Sequence, residues 1–357
     1  MSKFFHKAFL ILTVIVYLSI FISPGVFWPL GFLSFLIPIL VILNLILLGI
    51  YIVKRKPMLM YPLIGVITGL PFILVTLVVN RSKSANADFT VLNFNARVFN
   101  VYAHLNQDYK SSKDMIKWAS NDDADIKCIQ EFYNDKNSSI FNTTQRLGDN
   151  KDYNYYFKPQ FTNKQGAEFG LAIFSKFRII NKGFVKLKGR KNNHAIFVDV
   201  IKGIDTLRVY NLHLESMSID ENNIVNAKKL KNTYIDLFHR LKSGIVIRAN
   251  QVDQLLEHFN NSPYQIIVCG DLNELPYSYT YFTLKSKLNN AFEDGGNGFG
   301  FSYNGKLPFL RIDNQFYSDE IEVFNFETLS DVTYSDHFPI KANYRIKRKK
   351  QNNSEEN

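Results

Sequence analysis

The first eighty residues constrain the fold of this chain more than any other part of its sequence. Between Phe4 and Val79 there is no acidic residue, and the only Lys or Arg side chains are Lys7 and the run Lys54–Lys56. Three apolar runs follow one another here, at about 4–22, 28–53 and 58–79. Each has roughly the 20 residues that cross the hydrocarbon core of a bilayer. We therefore expect residues 1–83 to form a membrane anchor with three transmembrane helices.

A cleaved signal peptide is the alternative for the first run, because basic residues precede it. No Ala-x-Ala-like cleavage site follows, however, and two more apolar runs come after it. Orientation is predicted from the basic residues that flank the runs: five lie at the N-terminus and in the second loop, and two, Arg81 and Lys83, follow the third run. This count predicts an integral protein of the cell or inner membrane with everything after Val79 on the extracytoplasmic side.

The rest of the chain divides into a short polar linker at 84–88, one domain at 89–346 and a polar tail at 347–357, which we expect to be disordered. The net charge of +10 lies outside that domain. Residues 1–83 hold seven basic residues and no acid, and the last thirteen residues carry a net +3, so the domain itself is close to neutral. This balance counts against tight binding of duplex nucleic acid, which usually requires a basic surface.

Within the domain, short apolar runs rich in Val, Ile, Phe and Tyr predict eight strands. Helical periodicity predicts helices at about 112–120, 222–241, 248–260 and 279–284. Cys128 and Cys269 lie in two of the apolar strands. We expect both to be buried free thiols, with a disulfide as the alternative outside the cytoplasm. The mixture of strands and varied helices indicates a large α+β or layered α/β domain.

Polar side chains recur at the ends of the predicted strands, where a strand can hold them rigidly while its end opens to solvent. The stretches are "FTVLNFNAR", "ADIKCIQEF", "RVYNLHLES", "IIVCGDLNELPYS", "LRIDNQFY" and "YSDHFPI". Their polar residues are Asn95, Glu131, Asn211, His213, Asp271, Asn273, Asp313, Asp336 and His337. Each alone fits a turn, a cap or a core histidine. Together they supply the carboxylates, amides and imidazoles of a phosphoesterase that uses a hard metal ion.

In this order the motifs resemble those of the endonuclease/exonuclease/phosphatase superfamily, which has the pancreatic-deoxyribonuclease-like fold. The resemblance runs from about Phe89 to Arg345 and includes "QE", "GLAIFSKF", "NLHL", "RANQ", "GDLN", "RID" and "SDH". It implies a four-layer α/β/β/α sandwich of two packed mixed sheets. It also implies Mg²⁺ (or Mn²⁺) as cofactor and a phosphoester, either nucleic acid or a phospholipid or inositol-type compound, as substrate. No protein partner is predicted.

The resemblance also implies a role for each polar residue. Glu131 would be the main metal ligand, with Asn95 beside it and Asp336 as a second ligand of metal or water. Asp271 and Asn273 would orient the attacking water and the phosphate, and Asp313 would hold His337 as the base. His213 would donate to a phosphate oxygen or protonate the leaving group. Asn211 and Arg248 would contact substrate, although a structural role for Arg248 is the alternative.

The predicted function is hydrolysis of a phosphodiester or phosphomonoester by attack of water at phosphorus. Such an ester is anionic and repels hydroxide, so the reaction needs positive charge at the phosphate, a base for the water and an acid for the leaving oxygen. A nuclease and a lipid or small-phosphoester hydrolase remain as alternatives for the substrate. The alternative from another class is a catalytically inactive, membrane-bound binding module on the same fold.

Overall fold

The computed structural model describes residues 3–80, 87–189, 194–216 and 230–347. Most of the predicted linker (84–86) and the predicted tail after Lys347 lie outside the described residues. So does the first part of the helix predicted at 222–241.

The N-terminal segment is helical and apolar, as its composition predicts. Its helices are α1 (Lys3–Leu18), α2 (Pro29–Leu33), α3 (Ile37–Val53), α4 (Met60–Thr68) and α5 (Leu70–Thr76). Two stretches, Lys3–Phe21 and Pro29–Val53, are long and apolar enough to cross a membrane. The third predicted span is bent by 52° between its halves and forms either a broken span or a re-entrant loop. Gly69 and Pro71 explain the bend, because proline removes one helical hydrogen bond and crowds the preceding turn.

Two six-stranded sheets form the second part of the chain. Their strands are β2 (Phe89–Asn95), β3 (Ile126–Asn134), β4 (Asn154–Thr162), β5 (Glu168–Ser175), β6 (Arg178–Lys186), β7 (His194–Lys202), β8 (Asp205–His213), β9 (Gln265–Asp271), β10 (Asn289–Asn290), β12 (Asp313–Tyr317), β13 (Ile321–Thr328) and β14 (Ile340–Ile346). One sheet has the order β13-β14-β2-β3-β5-β4 and the other the order β10-β12-β9-β8-β7-β6. A small separate ladder joins β1 (Val78–Val79) to β11 (Asn297–Gly298).

The sheets pack face to face, and helices cover both outer surfaces. These helices are α6 (Val101–Leu105), α7 (Tyr109–Asn121), α8 (Thr143–Leu147), α9 (Leu230–Asn260), α10 (Tyr279–Lys285) and α11 (Ala291–Gly295). The central apolar cluster takes side chains from both sheets, among them Cys128 and Cys269, which are buried free thiols. Met115 and Ile116 of α7 pack on one sheet, and Val252 and Leu255 of α9 pack on the other. The four-layer α/β/β/α architecture is confirmed.

All eight predicted strands are present. The two-residue strands β1, β10 and β11 were not predicted, and neither were the longer strands β4, β6 and β13. The three longer strands are edge strands. Edge strands carry Lys, Pro and other polar residues that interrupt the apolar pattern, as Pro159 and Lys182 do here. The two helices predicted at 222–241 and 248–260 form one continuous helix from Leu230 to Asn260 within the described residues, because Gly244 does not interrupt it.

The apolar N-terminal segment packs directly on the two-sheet part of the chain. Thr76 Oγ1 lies 2.8 Å from the Tyr277 hydroxyl, and the Phe72 and Phe282 rings meet edge to face at 5.5 Å. The Arg311 guanidinium donates to the Val75 carbonyl oxygen at 2.6 Å. The last apolar segment is therefore part of the folded body.

Candidate active site

Three neighbouring strands bring acid and histidine side chains to one edge of the second sheet. In β8 and β9, which are parallel, His213 pairs in register with Asp271. In the antiparallel β12, Asp313 pairs with Asp271 from the other side. His213 Nε2 lies 3.6 Å from Asp271 Oδ2, and His337 Nε2 lies 3.8 Å from the same oxygen. The buried Asp271 carboxylate therefore lies between two imidazoles.

The first sheet supplies Asn95 and Glu131 to the same place. Asn95 ends β2, and its side-chain amide donates to Asp271 Oδ2 at 3.1 Å and to Glu131 Oε1 at 3.4 Å. Glu131 has φ +47° and lies where the pairing of β3 with β5 shifts register. A left-handed conformation costs free energy for a residue other than glycine. This bulge turns the Glu131 carboxylate toward His213, whose Nε2 is 3.9 Å from Glu131 Oε1.

His337 and Asp313 form a buried pair. His337 Nδ1 lies 2.8 Å from Asp313 Oδ2, and the His337 ring packs edge to face on Tyr303 at 5.3 Å. Burial alone would lower the pKa of His337, but Asp313, Asp271 and Asp336 raise it to about 10. Burial raises the pKa of Asp313. Asp313 is thus placed to fix the His337 tautomer, because its carboxylate accepts the Nδ1 proton.

Asp336 lies at the rim and is paired with Arg97. The Arg97 Nε atom is 3.5 Å from Asp336 Oδ2, and Ser335 Oγ donates to Asp336 Oδ1 at 3.2 Å. Sequence reasoning missed Arg97, although it follows Asn95 by two residues. Arg97 has φ +44° and begins a run of four left-handed residues that ends at Asn100.

Ser302 is a further residue that the sequence did not indicate. Its hydroxyl accepts hydrogen bonds from the backbone N–H groups of Ile312 and Asp313, at 3.1 and 3.0 Å. Its carbonyl oxygen accepts from the Phe338 N–H at 2.7 Å. Ser302 therefore fixes the segments that carry Asp313 and His337. Only the dense run of glycines before it marks this loop in the sequence.

The structure does not bring Asn211 or Arg248 to the rim of the site. The Asn211 amide donates to the carbonyl oxygens of Ile129 and Ala172, both at 2.9 Å, and so ties the two sheets together. Arg248 is 1% exposed and donates to the Glu215 carbonyl oxygen at 2.9 Å. Both side chains have structural contacts, so their predicted contact with substrate stays a prediction.

Asn273 lies in the turn that follows β9. Its backbone has φ +51°, and its N–H donates to Asp271 Oδ1 at 2.7 Å. The Asn273 side-chain amide donates to the Leu214 carbonyl oxygen at 3.2 Å. The turn thus fixes Asp271 and connects it to the segment that follows His213.

The donors at this edge fit a divalent cation. Among the described residues, ligand atoms of Asp271, Asp313 and His337 all lie within 4.8 Å of one another. Asp313 Oδ1 is buried and has no hydrogen-bond partner in that part of the chain. The predicted ligands Glu131 and Asn95 adjoin this group through Asp271 Oδ2. Such an oxygen-rich set suits Mg²⁺ or Mn²⁺.

Known proteins share this fold. Structures of an endonuclease/exonuclease/phosphatase from Beutenbergia cavernae (16% identity, 73% of this chain and 72% of that chain, TM-score 0.54) and one from Bacteroides vulgatus (14%, 72% and 98%, 0.54) are similar. So is the human nocturnin catalytic domain with bound sulfate (19%, 72% and 93%, 0.52). No curated protein sequence matches the chain.

Two family models match the sequence. A domain of unknown function matches residues 2–76, the apolar segment. The model of the Endonuclease/Exonuclease/phosphatase family matches residues 92–337, which is more than half of the chain and includes every residue of the predicted site. The chain therefore belongs to the endonuclease/exonuclease/phosphatase family.

Proposed function

We propose that this chain is a divalent-metal-dependent phosphoesterase that is held at a membrane by its N-terminal helices. Members of its family are generally hydrolases of phosphoester bonds. The observation that carries the proposal is the convergence of Asn95, Glu131, His213, Asp271 and the Asp313–His337 pair at one edge of two packed sheets. A binding module of the same fold would not need a buried carboxylate with one imidazole on each side.

His337 is the general base in this proposal. Its Nδ1–H is held by Asp313, so Nε2 faces Asp271 and is the atom that takes a proton from the attacking water. Asp271 accepts the hydrogen bond that orients this water. His213, on the other side of Asp271, gives a proton to the leaving oxygen. One group thus accepts the proton of the water while another supplies the proton of the departing alcohol.

Glu131, Asn95 and Asp336 are the proposed metal ligands, and Asp271 accepts a hydrogen bond from Asn95. A bound Mg²⁺ or Mn²⁺ would neutralise charge on the phosphate oxygens. Arg97 orients Asp336 through their ion pair. The imidazole in the Asp271, Asp313 and His337 group makes a softer donor set, so we assign the cation to the oxygen ligands around Glu131.

Hydrolysis of bis-p-nitrophenyl phosphate by the full chain in vesicles tests the proposal. We expect p-nitrophenol release that needs Mg²⁺ or Mn²⁺ and that falls by about 10²–10⁴-fold in His337→Ala. Thermal unfolding of the variant would show that the fold persists. A wild-type chain that releases no product from any phosphoester with metal present would favour the inactive binding module instead.

A further inference from the structure

One rim of the proposed site is an apolar loop, which we call the rim loop and define as residues 299–309. Phe299, Leu307 and Phe309 are 47, 41 and 60% exposed, and the Phe299 and Phe301 rings stack at 5.2 Å. Large apolar side chains grouped at an exposed site commonly mark a binding surface. Lys306 is the one charged residue between positions 299 and 309. The loop therefore combines apolar side chains with positive charge.

Backbone contacts connect the middle of the rim loop to the segments that carry the proposed catalytic residues. The Ser302 hydroxyl holds the Asp313 N–H, and Tyr303 bridges to His337. The Asn304 N–H donates to the Asp336 carbonyl oxygen at 2.7 Å. A ligand of the rim loop would consequently lie beside the cleft that holds the phosphate.

The rim loop is also attached to the candidate membrane segment. Just before the loop, Asn297 and Gly298 pair with Val79 and Val78, which lie one residue beyond the end of the last apolar helix. Just after it, Arg311 donates to the Val75 carbonyl oxygen. Both ends of the loop are thus held against the last residues of the apolar segment.

We propose that the rim loop docks on the bilayer that the N-terminal helices enter, and that the cleft acts on phosphoesters of amphiphiles in that bilayer rather than on polynucleotides. Exposed aromatic and aliphatic side chains, here with Lys306 beside them, favour the region between headgroups and acyl chains. The inference rests on the proposed function for its chemistry. Water forms the new P–O bond, the ester P–O bond breaks, and the alcohol leaves with a proton from His213.

Two esters with the same reacting group test the substrate class: one stays in water, and the other carries an alkyl chain that inserts it into the bilayer. The full chain is reconstituted in vesicles of equal amounts of phosphatidylethanolamine and phosphatidylglycerol, and is given either p-nitrophenyl methyl phosphate or p-nitrophenyl hexadecyl phosphate. We expect the triple variant Phe299→Ser, Leu307→Ser, Phe309→Ser to hydrolyse the hexadecyl ester about tenfold more slowly, while the rate with the methyl ester stays unchanged. An unchanged ratio of the two rates in this variant would overturn the inference.

Ile204 provides the matched control. It is 94% exposed and lies in the turn between β7 and β8, at the end of these strands away from His213. Ile204→Ser should leave both rates unchanged. If the wild-type chain hydrolyses neither of these esters nor any other phosphoester, the proposed function fails, and a second measurement then decides on docking alone.

That second measurement places an environment-sensitive fluorophore on Phe309→Cys or on Ile204→Cys. The native Cys128 and Cys269 are buried, so labelling is selective. We expect lipids that carry a nitroxide on the acyl chain to quench the label at position 309 and to leave the label at position 204 unquenched. Equal and weak quenching at both positions would overturn the docking surface whatever the activity of the protein.

Discussion

The contact between Asp313 and His337 gives the most specific test of the proposed chemistry. Asp313→Asn keeps the size of the side chain but removes the charge that faces His337 Nδ1 at 2.8 Å. Burial alone would lower the pKa of His337, yet the surrounding acids, Asp313 first, raise it from 6.5 to about 10. This net rise corresponds to about 5 kcal/mol in favour of the imidazolium, because the attraction of these acids more than offsets the cost of its burial.

Two effects of Asp313→Asn follow. The imidazole loses the partner that fixes its tautomer, so we expect kcat to fall by about 10²–10⁴-fold. The pKa of His337 should fall as well, because its largest positive contribution is removed. A base must be unprotonated to act, so the rate of the wild type should rise with pH toward the pKa of His337. In the variant this rise should occur at lower pH.

The assay is the pH dependence of bis-p-nitrophenyl phosphate hydrolysis at saturating Mg²⁺, with the His337 ring followed by NMR in the metal-free protein. Asp199→Asn is the matched control: Asp199 is as buried as Asp313, at 1% exposed, and is paired with Arg208 in β7 and β8, away from the site. A variant Asp313→Asn that keeps the wild-type rate and pH profile would refute the role of Asp313 as the group that holds the base.

Four further predictions concern other parts of the chain. Glu131→Gln should raise the Mg²⁺ concentration for half-maximal activity by at least about tenfold in a metal titration, and an unchanged titration would remove Glu131 from the ligands. Gly270→Ala should lower the melting temperature and the activity, because an added Cβ would collide with the backbone of the neighbouring strand. Arg248→Met should lower the free energy of unfolding by about 3–5 kcal/mol, since it leaves Glu274 buried without its partner, whereas a raised KM at unchanged stability would support contact with substrate. An alkaline phosphatase fused after Asn357 should be active outside the cytoplasm, and activity of a cytoplasmic reporter there would contradict the predicted orientation.

The sequence predicted the inner strands and most of the site for the same physical reason. Inner strands are buried on both faces and therefore show continuous apolar runs, whereas the edge strands β4, β6 and β13 do not. The parallel strands β8 and β9 end side by side in the sheet. The polar residues at the ends of their apolar runs, His213 and Asp271, therefore meet at the same edge of the sheet. Side chains of loops, such as Arg97 and Ser302, are placed by tertiary structure that no periodicity records.

Asn211 illustrates the limit of this reasoning. It lies two residues before His213 in β8, so both side chains face the opposite sheet. Two residues of a strand span about 6.6 Å, however, and this distance moves Asn211 from the open edge into the space between the sheets. There its amide satisfies the Ile129 and Ala172 carbonyl oxygens, and it accepts a hydrogen bond from Gln130. The alternation of side chains in a strand does not record how far a residue lies from the open edge of the sheet.

The boundary between the apolar N-terminal segment and the two-sheet part of the chain falls at one place in the composition and at another in the packing. Composition changes at about residue 84, yet Val75 and Val78 are buried in two of the apolar clusters of the domain. Arg311, which donates to the Val75 carbonyl oxygen, lies two residues before Asp313. A chain shortened to begin at residue 84 would leave these clusters incomplete and Arg311 without that acceptor. Loss of activity on such shortening would follow from the damaged fold, so the need for a bilayer has to be tested with the anchor in place.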